Sequence, residues 1–170
     1  GLVSSVRVDM GRPRQEPTEL GLTRDRPLTD EAMEIQGSAP RPATAVSMGN
    51  PHLVFFVEGE DPRHLATTLG PGLEHHPLFA NRTNVEFARF REDGLELWVW
   101  ERGCGITQAC GTGACATVAA AVITGRHPAD TPLPVHLPGG TLTIEVPEDL
   151  SSVLMDGPAE EVFSGEVELP

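Results

Sequence analysis

Apolar and polar residues alternate over Val6-Arg7-Val8-Asp9-Met10, so a strand is expected across residues 3–10. Residues 12–27 are polar and proline-rich, a loop or linker by composition. Residues 28–36 do not separate helix from strand, although Met33-Glu34-Ile35-Gln36 alternates as a short strand would. Two apolar, β-leaning runs follow at 43–48 and 53–57, with Gly49-Asn50-Pro51-His52 between them as turn chemistry. Asp61-Pro62 is a helix cap followed by proline, and it predicts a helix that Gly70 ends. Strands are expected at 83–90 and 95–100 across a Glu92-Asp93-Gly94 hairpin, and at 134–137 and 141–146 across Pro138-Gly139-Gly140. Residues 153–156 and 162–169 complete the set.

The only long apolar segment is Ala114 to Ile123, apolar on nearly every face, which predicts a helix that other elements wrap. Eight or nine short strands against two helices make an α+β pattern with mostly antiparallel pairing. No internal repeat or low-complexity tract interrupts it. At 170 residues and 39% apolar content, the chain fits one well-packed domain spanning 1–170.

Charge and composition narrow the chemistry. A formal net charge of −13 excludes a polyanion partner, so no nucleic acid is expected. All 12 basic residues are arginine, and without lysine the chain cannot hold pyridoxal phosphate as a Schiff base. The 114–123 run is too short to span a bilayer, so no membrane partner is expected. The first twenty residues carry charges and no apolar core of a secretory signal, while a strand starting at residue 3 without an initiating methionine suggests a chain cut from something longer. Three cysteines do not make a disulfide framework, and a cytoplasmic location is the simplest setting.

The cysteines lie in one stretch, Trp100 to Arg126, where a strand end, a glycine-rich turn and the apolar helix follow one another. Cys110 precedes Gly111-Thr112-Gly113, where small residues leave backbone N–H groups open at a helix start. Such a nest binds a carboxylate or phosphate, and its field lowers a thiol pKa, to about 3.5–7.5 in documented cases. The alternative is a small buried hydrophobe. Cys115 lies among alanines inside the helix and reads as a packing residue, whereas Cys104 sits in the turn as a neighbour for Cys110. The C-x5-C-x4-C spacing fits no common zinc pattern, so no metal is expected. Glu101-Arg102 ends a strand at the same turn, either as an ordinary exposed pair or as a clamp for an amino-acid end. Asn50 and His52 carry the same choice between satisfying a loop and lining a pocket.

Taken together, Gly49-Asn50-Pro51-His52, Asn84-Val85-Glu86-Phe87, Glu101-Arg102-Gly103 and Ala109-Cys110-Gly111-Thr112-Gly113-Ala114-Cys115-Ala116, in this order, resemble diaminopimelate epimerase. Val8-Asp9-Met10-Gly11 and Asp156-Gly157-Pro158-Ala159 match that family too, so the resemblance covers nearly the whole chain. It implies a barrel-like sheet around the central helix. It also implies a cofactor-independent epimerase of lysine and peptidoglycan precursor synthesis, using two cysteines on opposite faces of the substrate to interconvert LL- and meso-diaminopimelate. By matching, Cys110 is one catalytic cysteine, and His52 and Glu101 tune the cysteine protonation states. Gly111 and Thr112 hold the α-carboxylate, and Asn50, Asn84, Glu101 and Arg102 bind substrate.

The family's other catalytic cysteine, in an Asn-Gly-x-Arg-Cys context, is absent from this sequence. The resemblance is therefore to the C-terminal lobe alone. The expected partners are an amino-acid substrate and an N-terminal lobe, with a homodimer as a further arrangement. Isolated, the chain is expected to be nearly inactive, with the Cys110 helix start open to solvent and the strand at about 162–169 left without the lobe it pairs with. A related isomerase of the proline racemase or phenazine-pathway type, or a non-catalytic amino-acid-binding lobe, remains the alternative.

Overall fold

The computed structural model describes residues 3–168. In chain order the elements are β1 (Ser5–Asp9), α1 (Pro17–Leu20), β2 (Glu31–Met33), β3 (Arg41–Ser47), β4 (Pro51–Phe56), α2 (Pro62–Glu74) and β5 (Asn84–Arg91). They continue with β6 (Gly94–Glu101), β7 (Gly105–Ile106), α3 (Gly111–Ile123), β8 (Leu133–Leu137), β9 (Gly140–Glu145) and β10 (Leu154–Pro158). All ten strands join one mixed sheet in the order β1-β10-β9-β8-β6-β5-β4-β3-β2, with β7 paired to the end of β6. Only β4–β5 and β6–β8 are parallel. The sheet is open, its edges being β1 and β2. This is the expected α+β class.

The central strands are buried on both faces, which explains their continuous apolar runs. On one face Leu53, Phe55, Val85 and Phe87 pack with Leu65, Ala66 and Leu73 of α2. There the rings of Phe55 and Phe87 stack at 5.1 Å, worth about 0.5–1.5 kcal/mol beyond their burial. On the other face Val46, Val54, Ala88, Leu97 and Val99 pack with Ala114, Val118 and Ala119 of α3. Residues Ala114 through Ala121 are all fully buried. Helix α3 touches β3, β4 and β5 on one arm of the sheet and β9 and β10 on the other. A helix contacted from both arms has no face left for charge, which is why α3 carries no charged residue.

Several expected boundaries move. The 12–27 loop contains the single turn α1, started by Pro17 and closed by Gly21 in the left-handed conformation (φ 63°). The short strand near 33–36 lies earlier, at Glu31–Met33, because Ile35 O accepts from Ser38 N and begins a turn through Gly37 (φ 80°). Pro51 and His52 belong to β4, since Ser47 pairs with Pro51 and Val46 with His52. Helix α2 runs through Gly70 to Glu74. Gly70 is a packing position: a Cβ there would stand 2.7 Å from Cβ of Trp100. Strand β7 was not expected. Within the expected strand at 162–169, the described residues through 168 form no strand and lie exposed, and Leu169 falls outside the described residues. The last inter-segment bond among the described residues there is Ala159 N–H to Ser4 O, after which no described residue pairs with a sheet edge.

Candidate active site

Sheet order brings the motifs together. Strand β4 begins beside β5, with His52 opposite Asn84. Strand β6 ends there too, with Trp100 opposite Val85. His52, Asn84, Glu86 and Glu101 therefore occupy one end of the three central strands. Positions His52, Val54, Glu86 and Ala88 point toward the α3 side, and Cys110 caps that helix at the same end.

Cys110 has extended backbone (φ −136°, ψ 100°), and its Sγ accepts from Gly113 N at 3.4 Å. Thr112 Oγ1 lies 3.7 Å from the sulfur. The N–H groups of Gly111 and Thr112 precede any intrahelical acceptor and stay available to an anion. Against expectation, Cys110 is not open to solvent: it is only 7% exposed, because capping turns its sulfur back over the first helical turn. Nor is its thiol acidified. Burial, then the charge of Glu86, and more weakly that of Glu101, push it up to about 11, against the lowering contacts from Thr112 and Gly113. The helix-end field is outweighed here by desolvation and two carboxylates.

Glu86 is a residue the sequence reading quoted within a motif but gave no role. It is fully buried, and its Oε1 lies 2.6 Å from His52 Nδ1. Its Oε2 has no hydrogen-bond partner among the described residues, and burial raises its pKa above the ordinary carboxylate value. Alternation sends Glu86 to the face opposite Val85 and Phe87, and it is buried because α3 covers that face, a tertiary fact the sequence did not carry. His52 is also fully buried, and its Nε2 faces Asn50 Oδ1 at 3.0 Å. Asn50 Nδ2 in turn faces Thr112 Oγ1 at 3.5 Å. A line of polar contacts thus runs Glu86–His52–Asn50–Thr112–Cys110.

Gly113 permits this crowding. A Cβ there would lie 3.1 Å from both Cys110 Sγ and Glu86 Oε1.

The turn carrying Glu101 and Arg102 is held from behind. Asn84 donates Nδ2–H to Pro51 O at 2.9 Å and accepts Arg102 N–H at 2.8 Å, so its amide already links the starts of β4 and of the turn. Glu101 accepts from the Thr107 hydroxyl. Arg102 is exposed and donates from Nη1 to Asn81 O at 3.0 Å, leaving other guanidinium donors toward solvent. Glu74, a second residue without an assigned role, accepts from Trp100 Nε1, Gly103 N and Arg82 Nη1. The approach to Cys110 is fixed by the β8–β9 turn, where Gly139 N donates to Gln108 O at 2.7 Å. Cys115 is fully buried as a packing residue, and Cys104 is exposed. All three cysteines are free thiols. Among the described residues, no cluster of three or more His, Cys, Asp or Glu is placed to hold a metal ion, and no helix is long and apolar enough to cross a membrane.

Comparison with known proteins gives consistent results. Residues 44–162 match the family model described as diaminopimelate epimerase. A diaminopimelate epimerase of Moorella thermoacetica is 48% identical over 99% of this chain and 60% of its own length. One from Synechococcus elongatus is 51% identical over 96% of this chain and 58% of its own length. The chain thus spans about three fifths of the curated relatives it matches. Among solved structures, a probable proline racemase from Agrobacterium radiobacter superposes with TM-score 0.67 at 12% identity, covering 98% of this chain and 54% of its own. A hydroxyproline epimerase from Agrobacterium vitis gives 0.63 at 15% identity, covering 91% and 50%. At such identities these two speak for the fold alone.

Proposed function

The chain belongs to the diaminopimelate epimerase family, and on that premise we propose that it supplies one of two cysteines that invert an amino-acid α-carbon of diaminopimelate without a cofactor. The observation that carries this is Cys110 Sγ at the cap of α3, beside the open N–H groups of Gly111 and Thr112. An α-carboxylate held by those amides and the helix dipole sits next to the sulfur. That placement also draws electron density from the α-carbon as its proton leaves.

In this reading the resting Cys110 is the acid. A thiolate from a second lobe removes the α-proton on one face, the carboxylate end takes up the electron pair, and Cys110 S–H delivers its proton to the opposite face. The products are the inverted centre, a thiol on the second lobe and a thiolate at Cys110; the reverse direction exchanges the roles. The thiol pushed up to about 11 supports the acid role at neutral pH. His52, through Glu86 and Asn50, and Glu101, through its charge, are the groups that set the protonation of the sulfur. Asn50, Asn84, Glu101 and Arg102 bind substrate, the last two at its distal amino-acid end, where the remaining Arg102 donors clamp a carboxylate.

The sheet is read as a barrel-like wall around α3, within a single lobe whose 162–169 segment pairs with the second lobe. A homodimer of the two-lobed enzyme and a cytoplasmic setting in lysine and peptidoglycan precursor synthesis complete the reading.

Mixing this chain with a separately expressed N-terminal lobe of the Moorella relative in deuterated water tests it. Deuterium washes into the α-position of diaminopimelate but not of proline, and Cys110→Ala abolishes the wash-in. Exchange into proline instead overturns the substrate, and undiminished exchange in Cys110→Ala overturns the mechanism.

A further inference from the structure

The His52 ring poses an accounting problem. Its Nε2 faces Asn50 Oδ1 at 3.0 Å and its Nδ1 faces Glu86 Oε1 at 2.6 Å. Asn50 turns its Oδ1 to the ring and its Nδ2 to Thr112 Oγ1. A neutral imidazole has one N–H, yet both nitrogens here meet an oxygen. Two arrangements satisfy the geometry. Either the ring carries both protons against a Glu86 carboxylate, or Glu86 keeps its proton and donates to Nδ1 while Nε2–H points at Asn50. Proton count and net charge are the same in both.

We propose that Glu86 is a positioning residue for Cys110: together with His52 it holds one shared, buried proton, and the presence of that proton sets the thiol–thiolate balance of the cysteine. With the proton in place the pair is neutral. Without it, the pair carries one negative charge in a fully buried place. Gly113 has no side chain to separate that charge from the sulfur, since a Cβ there would be 3.1 Å from both Glu86 Oε1 and Cys110 Sγ. The unpartnered Glu86 Oε2 adds to the charge's cost, as no donor among the described residues compensates it. The other titratable groups facing the sulfur are Glu101 from the end of β6, which is engaged by Thr107, and Cys115 one turn along α3. Burial raises the Glu86 carboxyl above its ordinary value, the direction in which a buried, half-partnered carboxyl favours its proton. For catalysis the inference rests on the proposed reaction: a neutral pair lets Cys110 become a thiolate after delivering its proton, and a charged pair opposes it.

The test uses this chain with Cys104→Ser, which removes the exposed thiol. The chain has no tyrosine, so ultraviolet thiolate absorbance at high pH is free of phenolate signal. The Cys110 midpoint near 11 is expected to fall by about one pH unit or more in Glu86→Gln, a tenfold gain in thiolate fraction. Cys115 stays closed to iodoacetamide, which shows that the core has not opened. In the parent chain, the His52 ring nitrogen resonances report two donors or a hydrogen-bonded Nδ1, and they inflect with Cys110. That measurement also covers the case in which Glu86→Gln fails to fold. An unmoved midpoint in a folded Glu86→Gln chain, or His52 signals indifferent to Cys110 ionisation, overturns the proposal. No substrate or second lobe is involved, so a failure of deuterium exchange would strike the proposed reaction and leave this result standing.

Discussion

Trp100 donates its indole N–H to Glu74 Oε2 at 2.8 Å, which ties the last turn of α2 to the strand end that delivers Glu101 and Arg102. Glu74 is 4% exposed, and its Oε1 also receives Gly103 N at 3.0 Å. Replacing it with glutamine puts an NH2 where donors converge. Leaving such buried donors unpaired costs about 1–3 kcal/mol, and Glu74→Gln should lower the urea midpoint accordingly. The pH dependence has a definite sign. Burial pushes the Glu74 carboxyl upward, but the Trp100, Gly103 and Arg82 donors and the His75 charge together outweigh it, so its pKa in the folded state lies below the ordinary 4.5. A depressed carboxyl stabilises the fold above its unfolded pKa and loses that contribution as pH falls through the folded value. Urea midpoints measured downward from pH 5 should fall more steeply for the parent than for Glu74→Gln. Parallel curves would show that Glu74 adds nothing through its charge.

Gly113→Ala sets two effects against each other. Alanine is about 1 kcal/mol better than glycine inside a helix. Its methyl would stand 3.1 Å from Cys110 Sγ and from Glu86 Oε1, and both are held, the one by the helix cap and the other by His52. Overpacking of about 1–3 kcal/mol therefore wins, and the thermal midpoint drops. A midpoint equal to or above the parent's would mean that this corner of the core gives way easily.

Thiol reactivity should rank by exposure. Cys104 is exposed, whereas Cys110 and Cys115 are buried with thiols pushed up to about 11 and about 12. At pH 8, peptide mapping after brief iodoacetamide treatment should find the label on Cys104 and, only after unfolding in urea, on the other two. Early labelling of Cys110 would show an activated thiolate in the isolated chain.

This ranking reverses the simplest reading of the motif, and the reason is physical. The helix cap, the open amides and the location of Cys110 follow from small residues at a helix start, all local features legible in sequence. The sign of its pKa shift depends first on burial and then on Glu86 and Glu101, which lie on two other strands and reach the sulfur only because β4, β5 and β6 are neighbours. Strand positions were readable from alternating apolar residues, and α3 from its uniform apolarity. Gly70 misled because glycine serves both to end helices and to admit a close neighbour, and only the tertiary contact with Trp100 distinguishes the two. At 162–168, Val162, Phe163 and Val167 carry strand-like alternation, but a strand needs a partner edge, and none among the described residues meets it.

Those same residues give the last prediction. Val162, Phe163 and Val167 are 86%, 83% and 82% exposed, and the neighbouring edge strand β1 leaves Val6 44% and Val8 38% exposed. Ala159 N–H on Ser4 O holds the two segments together at that point, and Val162 and Phe163 line one shallow surface with Val3. Under the proposed function, the N-terminal lobe covers it. Burying a phenylalanine contributes about 1.5–3 kcal/mol, so Phe163→Ser should weaken association with the separately expressed lobe by about tenfold or more. Calorimetric titration reads this directly. Hydrogen exchange should show new protection at residues 159–168 and at Ser5–Asp9 when the lobe is added to the parent chain. Full affinity in Phe163→Ser, or no new protection, would place the lobe's contact elsewhere on this chain.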